Sequence, residues 1–204
     1  MAAFTLRNVL VTHLPDKAVD YCFECWKQKP FALKLTKSRH TKAGDFSARK
    51  CGYTITLNHD LNRYQFLITY IHEVAHLRVH LKYGRKVMPH GTEWKTEFRQ
   101  LMQPLLTTEI FPPNLLNCLI AHVQKPKAST FTDTALTTEL RLFDSTTLNA
   151  VALNELAEGS LFKLRGRFFK KEKLRRTRFY CHEMKTNRKY LVPRMALVEW
   201  IAPG

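Results

Sequence analysis

The chain has 204 residues, of which 45% are hydrophobic, and it carries 33 Lys and Arg against 17 Asp and Glu, a formal net charge of +16. This apolar content excludes a disordered chain, and the length suits one ordinary domain with a smaller second one. No apolar run approaches the roughly eighteen residues of a membrane span, and the N-terminal segment lacks a signal-peptide pattern. We therefore expect a cytoplasmic protein without a membrane partner, which could also associate with the nucleoid.

The first part of the chain predicts one helix followed by two strands. Pro15 and Asp16 open a helical pattern, which ends before Pro30. Residues 31–36 and 53–58 are apolar stretches of strand length. The long polar turn between them predicts an antiparallel pair, against which helices can pack as an α+β core.

A long amphipathic helix comes next and carries the most informative motif. Apolar residues recur at helical spacing from about Leu61 to Lys82. Within this segment His72 and His76 lie one turn apart, with Glu73 between them. Two imidazoles on one helix face can converge on one Zn²⁺, and the carboxylate between them can act as a general base. The motif therefore predicts a zinc-dependent hydrolase.

Three residues that follow this helix are candidates for the third metal ligand. His90 comes after a helix break at residues 83–84, so the chain can turn back, and we assign it as the third ligand. The alternative is a glutamate on the next helix, predicted to begin near Thr92, as in zinc peptidases with two histidines and one glutamate. Glu93 and Glu97 are the two candidates, although Glu93 also suits the helix dipole without a metal.

The remainder predicts two further helices and then a small domain of strands. One helix runs from Pro113 to about Val123, and residues 124–148 are expected to form a linker with a short helix at 133–143. From residue 149 onward, short apolar stretches between turn residues predict an all-β domain, barrel-like and of the SH3-like or OB-like kind. Its predicted strands are 151–153, 161–169, 174–181, 189–192 and 196–200.

Positive charge is concentrated in this predicted β domain. Residues 160–195 contain thirteen Lys and Arg against two Asp and Glu, which favours a polyanionic partner, namely DNA, including its single-stranded form. The candidate contacts are Arg165, Arg167, Arg175, Arg176 and Arg178, and a second basic cluster near the predicted strand pair adds Lys37, Arg39 and Lys42. Solvent-exposed charge without a ligand is the alternative for both clusters, and the interleaved aromatic residues are expected to face the interior.

The segment around the histidines resembles the SprT-like metallopeptidases, relatives of the Spartan proteases that degrade proteins crosslinked to DNA. The specific part of the resemblance lies in residues 66–77 and 89–95, and similarity at 33–45 and 53–58 supports it. It spans about residues 14–123. In the family the matching residues bind one zinc ion per chain and supply the catalytic base, which here would be His72, His76 and His90 as ligands and Glu73 as base.

The resemblance implies a zincin-like metallopeptidase domain over residues 1–123, followed by the linker 124–148 and the basic β domain 149–204. Many members end in a zinc ribbon with two Cys pairs, which this chain lacks. Its C-terminal region is instead similar to the β domain of bacterial members of the Bacteroidetes type. We therefore expect a zinc endopeptidase that acts in DNA repair on proteins bound or crosslinked to DNA. The alternative is a non-proteolytic nucleic-acid-binding or transcription-associated factor with a structural or vestigial zinc site.

Overall fold

The computed structural model describes residues 2–39, 41–50, 52–127, 133–144, 150–164 and 166–201. The chain divides into two compact units, Met1–Asp144 and Ser145–Gly204. In these described ranges, no helix is both long enough and apolar enough to cross a membrane.

Over its described residues, the first unit combines six α-helices with one small sheet. Its helices are α1 (Ala2–His13), α2 (Val19–Gln28), α3 (Arg63–Tyr83), α4 (Thr92–Met102), α5 (Pro113–Gln124) and α6 (Thr134–Arg141). Its strands are β1 (Ala32–Thr36), β2 (Gly44–Arg49) and β3 (Gly52–Asn58). The mixed α+β class is as predicted and suits a zincin-like core, although α1 and β2 were not expected.

The sheet has β3 at its centre, and its strand directions correct the prediction. β1 pairs with β3 in parallel, with Leu33 opposite Ile55, so the predicted antiparallel pair is wrong. β2 lies within the predicted polar turn and pairs antiparallel with β3, placing Phe46 opposite Ile55. Because β2 reverses the chain direction and the turn into β3 reverses it again, β1 and β3 run the same way.

Helix α3 is the central element of this unit. Eleven of its residues are buried, including Tyr70 and Ile71, and this burial around the whole helix is typical of one enclosed by other elements. Its N-terminus is capped by Asn62, whose side chain accepts hydrogen bonds from the next turn. Leu81, at the C-terminal end of the apolar pattern predicted from Leu61 to Lys82, is 42% exposed because the last turn extends beyond the core.

The segment predicted as a linker contains α6, which belongs to the core of the first unit. Leu136 and Leu140 are 0% and 2% exposed and lie in the same hydrophobic cluster as α3. Residues 128–132 and 145–149 of that segment lie outside the described part of the chain.

The described part of the second unit consists of one six-stranded antiparallel sheet and a 3₁₀ turn at Leu153–Glu155. It contains β4 (Ala150–Ala152), β5 (Leu161–Leu164), β6 (Arg167–Arg175), β7 (Arg178–Glu183), β8 (Lys189–Pro193) and β9 (Leu197–Ile201), in the spatial order β4-β9-β5-β6-β7-β8. Over its described residues the edge strands β4 and β8 do not pair, so the sheet is open and the predicted barrel closure is not found.

Two local differences in this unit have clear causes. The predicted strand 161–169 is two strands, because the chain turns at Gly166, whose φ of 74° suits glycine. Residues 170–173, predicted as a turn, continue β6 instead. A bulge between Lys171 and Leu174 absorbs the irregularity and keeps β6 paired with β7.

Candidate metal centre

Three histidines of the first unit point their Nε2 atoms at one another. The Nε2 atom of His90 lies 3.0 Å from that of His72 and 3.0 Å from that of His76, and the two helical histidines are 3.2 Å apart. Among the described residues these three form the group of potential ligands close enough to share one metal ion. The structure thus brings together the three residues that the motif and the resemblance singled out.

Helix geometry and one unusual backbone conformation produce this convergence. His72 and His76 lie one turn apart on α3, which ends at Gly84 with a φ of 63°. The chain then turns back, and His90 adopts a φ of 60° immediately before Gly91, the N-cap of α4. A left-handed conformation costs a non-glycine residue about 1–2 kcal/mol. Such local strain is often found at functional positions.

Trp94 on α4 holds all three imidazole rings. Its ring centroid lies 4.5 Å from that of His72, 5.4 Å from that of His76 and 4.8 Å from that of His90. The indole Nε1–H donates to the backbone carbonyl of His72 at 3.3 Å, and the side chain is 1% exposed. Helical periodicity in the sequence places Trp94 on the buried face of α4, but it does not reveal that the ring contacts the three histidines.

The donor set fits zinc. Burial lowers the pKa of each imidazole, that of His76 to about 4, so the three rings are neutral at pH 7. A tetrahedral zinc with bonds of about 2.0–2.1 Å places its nitrogen ligands roughly 3.3 Å apart, close to the separations observed here. The residues present therefore match a zinc site with three histidine ligands.

Glu73 lies beside the histidines but is turned toward β2. Its side chain is 5% exposed, and the backbone N–H of Phe46 donates a hydrogen bond to the carboxylate. Burial, with a smaller effect of Asp45, raises the pKa of Glu73 to about 8. A cation held by the histidines would favour the ionised carboxylate instead.

Gly44 on β2 makes the close approach to Glu73 possible. A Cβ atom at this position would lie 2.6 Å from Oε1 of Glu73 and 2.7 Å from Cγ2 of Thr69. Both distances are shorter than van der Waals contact, so any other residue at this position would force Glu73, Thr69 or β2 to shift. No sequence pattern indicates this contact, because residues 44 and 73 are brought together only by the packing of β2 on α3.

The two glutamates considered as alternative ligands lie elsewhere. Glu97 is 4% exposed and pairs with Arg78 at 3.1 Å and with Lys82 at 2.6 Å. Glu93 lies in the first turn of α4, outside the cluster of potential ligands.

A cavity of about 480 Å³ opens beside the histidine cluster. One wall is the segment 41–46, which includes the start of β2, and α3 forms another. The backbone amide of Asn58 donates to the carbonyl of Ala43, so by antiparallel alternation the backbone groups of Gly44, Phe46 and Ala48 face away from β3. Within the described residues this edge of β2 has no strand partner.

The basic cluster near the first sheet is largely engaged in local contacts. Arg39 donates to Oδ1 of Asn58 at 2.8 Å and to Oγ1 of Thr56 at 3.0 Å, which fixes the loop after β1 against β3. Lys42 pairs with Asp45 at 2.7 Å. Lys37 is exposed.

The basic residues of the second unit are divided in the same way. Arg167 pairs with Glu183 and lies 4.7 Å from the ring centroid of Tyr190. Three others, Arg175, Arg176 and Arg178, are exposed around the turn between β6 and β7, and Arg165 lies outside the described residues.

The family model of the SprT-like family matches residues 11–113, about half of the chain. The matched region contains the three histidines, Glu73, Gly44 and Trp94. It ends before α6 and before the second unit, so the similarity of the C-terminal region to Bacteroidetes members stays a prediction. Neither a curated protein nor a solved structure matches the chain significantly.

Proposed function

This chain belongs to the SprT-like family, and on that premise we propose that it is a zinc-dependent metallopeptidase acting on proteins bound or crosslinked to DNA. One observation carries the proposal: three neutral imidazole nitrogens converge beside the buried carboxylate of Glu73. Structural zinc sites usually have four protein ligands, often including cysteine. Three histidines with a neighbouring carboxylate favour a hydrolytic site over a structural or vestigial one.

In the proposed reaction His72, His76 and His90 would hold the zinc ion, with Trp94 fixing their rings. Zinc, when bound, supplies a Lewis acid for the peptide carbonyl and lowers the pKa of a water molecule. Glu73 takes a proton from the attacking water and passes it to the leaving amine. The amide of Phe46 holds the carboxylate of Glu73 in position for both transfers.

The edge of β2 supports a polypeptide substrate. The backbone groups of Gly44 and Ala48 and the carbonyl of Phe46 face away from β3 and can accept an extended peptide as an additional strand, while the Phe46 N–H stays bound to Glu73. The same edge borders the cavity and the carboxylate of Glu73. A peptide bound there would pass its backbone beside the histidine cluster.

The proteolytic part is tested with Glu73→Gln, which keeps the shape of the side chain and removes its capacity to accept the proton. The substrate is a protein crosslinked to a DNA oligonucleotide, cleavage is followed on gels, and zinc is measured by mass spectrometry. We expect full zinc content without cleavage, whereas Glu93→Gln, the same change in the first turn of α4, retains both. Persistent cleavage by Glu73→Gln would remove this residue from the mechanism.

The DNA part of the proposal rests on the second unit. Phe162 and Phe169 face its core, whereas Phe168 is 53% exposed on the opposite face, where Lys163 is its cross-strand partner. On that face Arg175 lies over the ring of Tyr180, 5.9 Å from its centroid. Exposed cations and aromatic rings on one face are the features that bind phosphates and stack with unpaired bases.

Recruitment is tested by the anisotropy of labelled single- and double-stranded oligonucleotides. Replacing Arg175, Arg176 and Arg178 by alanine should weaken binding and reduce the salt dependence of log K by roughly 0.7 per lost contact with a single strand. Replacing the exposed Lys17 and Lys27 of the first unit by alanine is the control, and it should change neither the DNA affinity nor its salt dependence. Unchanged affinity in the triple variant would place DNA binding elsewhere, and binding without any proteolysis would favour the non-proteolytic alternative.

A further inference from the structure

We infer that α6 closes a specificity pocket next to the metal centre, and that this pocket accepts an uncharged, mainly apolar side chain of medium size adjacent to the bond that is cut. The inference rests on the proposed peptidase function and adds a substrate preference to it.

The position of the pocket follows from the row of residues that lines the cavity along α3. Gln65, Thr69 and Glu73 recur every fourth residue and therefore lie on one face of the helix. At 1.5 Å per residue they span roughly 12 Å. The cavity thus extends about two helical turns beyond the carboxylate of Glu73, toward the N-terminus of α3. A side chain next to the scissile bond can enter this extension.

The far end of the cavity is formed by α6 and by the residue that precedes the α3 cap. Thr137 and Leu140 lie three residues apart on one face of α6, and Leu61 completes the wall. These residues bring no charge to that end. Apart from Glu73 at the metal centre, the charged residues of the lining are Lys42 and Asp45, which lie on the β2 side and pair with each other at 2.7 Å.

The wall is held in place at both ends of α6. The side chain of Asn62, which caps α3, also donates to the carbonyl of Leu140 at 2.8 Å and to Asp144 at 2.6 Å. At the other end Asp133 caps α6 and pairs with the buried His122 at 3.0 Å. The C-terminal end of α6 is thereby fixed to the start of α3, so the pocket has a defined width.

The chemistry of this end selects against charge. The hydroxyl of Thr69 donates to the carbonyl of Gln65 at 2.7 Å, so it is already paired, and its methyl group points toward Gly44. A charged substrate side chain would lose its hydration here without gaining an ion pair, which is strongly unfavourable. A cavity of about 480 Å³ holds a leucine, methionine or phenylalanine side chain together with its backbone.

The α6 part of this wall lies beyond residue 113, where the family match ends. The pocket is therefore built jointly by the matched region, through α3 and β2, and by a helix that the match does not include. A change in α6 should alter which peptide bond is cut while leaving the metal ligands and Glu73 in place.

The test uses a series of peptides derived from sites that the protein cleaves in denatured casein. The peptides differ only in the residue next to the cleaved bond. The wild-type protein should cut peptides with Leu, Met or Phe at that position at least about tenfold faster, in kcat/KM, than those with Asp, Glu or Lys. Thr137→Leu fills the pocket, so the preferred residue should become Ala, and kcat/KM for the Phe peptide should fall roughly 10- to 100-fold. Thr138→Leu adds the same volume to the exposed side of α6 and should leave the preference unchanged.

A second variant and a binding measurement keep the inference independent of folding and turnover. Leu61→Ala widens the pocket at the part of its wall that lies outside α6 and should raise kcat/KM for the Phe peptide relative to the Leu peptide. The same peptides are titrated onto Glu73→Gln, and their affinities should follow the same order.

A wild-type preference for charged side chains, or one that neither pocket variant alters, would overturn the pocket assignment and leave the peptidase intact. Failure of every peptide to be cut, together with no binding to Glu73→Gln, would count against the proposed function and the pocket alike.

Discussion

Gly44→Ala tests whether the position of Glu73 in the structure is its working position. The new Cβ atom would lie 2.6 Å from Oε1 and 2.9 Å from Cγ of Glu73, as well as 2.7 Å from Cγ2 of Thr69. Carbon and oxygen atoms in ordinary contact are about 3.4 Å apart or more. The carboxylate must therefore move by a large fraction of an ångström, or β2 must move away from α3.

The size of the effect follows from these distances. A misplacement of about 1 Å at a catalytic group lowers the rate roughly 100-fold, which is about 2.7 kcal/mol in the activation free energy. Overpacking also reduces stability by about 1–3 kcal/mol, which exceeds the gain of roughly 0.5–1 kcal/mol from replacing a strand glycine by alanine. The metal ligands do not contact Gly44 in this way, so zinc content should be unchanged.

The assay measures kcat/KM for proteolysis, zinc content and the free energy of unfolding on the same preparations. Gly52→Ala is the matched control: its Cβ meets no atom within 4 Å, but its φ of +128° makes alanine strained. It should lose stability and keep wild-type kcat/KM. If Gly44→Ala, loaded with zinc, were as active as the wild type to within twofold, the need for the close approach of Gly44 to Glu73 would be refuted, whereas the role of Glu73 itself is tested by Glu73→Gln.

Three further predictions concern residues whose roles the structure places away from the metal. Glu97→Ala should retain zinc, because the Glu97 carboxylate pairs with Arg78 and Lys82 and lies away from the histidines. The variant should lower the free energy of unfolding by about 1–3 kcal/mol. Loss of zinc in this variant would instead identify Glu97 as a metal ligand. Arg39→Ala should destabilise the first unit in urea unfolding by a similar amount while DNA affinity stays unchanged, and the reverse pattern would make Arg39 a DNA contact. The pKa of Glu183 is lowered from 4.5 to about 2, mainly by the hydrogen bond from Arg167. The ion pair therefore stabilises the second unit above pH 4.5, and this contribution is lost as the pH falls toward 2. Glu183→Gln should flatten that acid dependence, monitored by NMR, and an unaltered profile would show that the pair does not contribute.

The metal ligands could be predicted from the sequence because their signals are local. His72 and His76 are one turn apart in a segment that is recognisably helical, and the break at Gly84 allows His90 to return. Helical periodicity fixes which side chains share a face, and a helix break limits where the next residues can lie. Both kinds of information are contained within about twenty residues, which is the range over which pattern analysis works.

The sheet and its contacts with the helix depend on pairing over longer distances. β2 reads as a polar turn because Asp45, Ser47 and Arg49 alternate with its apolar residues, and only its pairing with β3 makes it a strand. The parallel direction of β1 follows from that unrecognised strand. The approach of Gly44 to Glu73 arises from the packing of β2 on α3, so it could not be predicted from the sequence either.

Helix α1 was missed for a different reason. It contains several β-branched residues, such as Val9 and Val11, and has no acidic residue in its first turn. Its helical state is favoured by burial of Leu6 and Leu10 in the core, a tertiary effect that local propensity does not report.

The zinc coordination itself is the most direct test of the central claim. X-ray absorption spectra of the zinc-loaded protein should show three imidazole nitrogens and one further light atom, with distances of about 2.0–2.1 Å and no sulfur. His90→Ala should lose one imidazole from the spectrum and bind zinc more weakly. A sulfur ligand, a fourth protein side chain, or an unchanged spectrum in His90→Ala would contradict an open three-histidine site and, with it, the hydrolytic account.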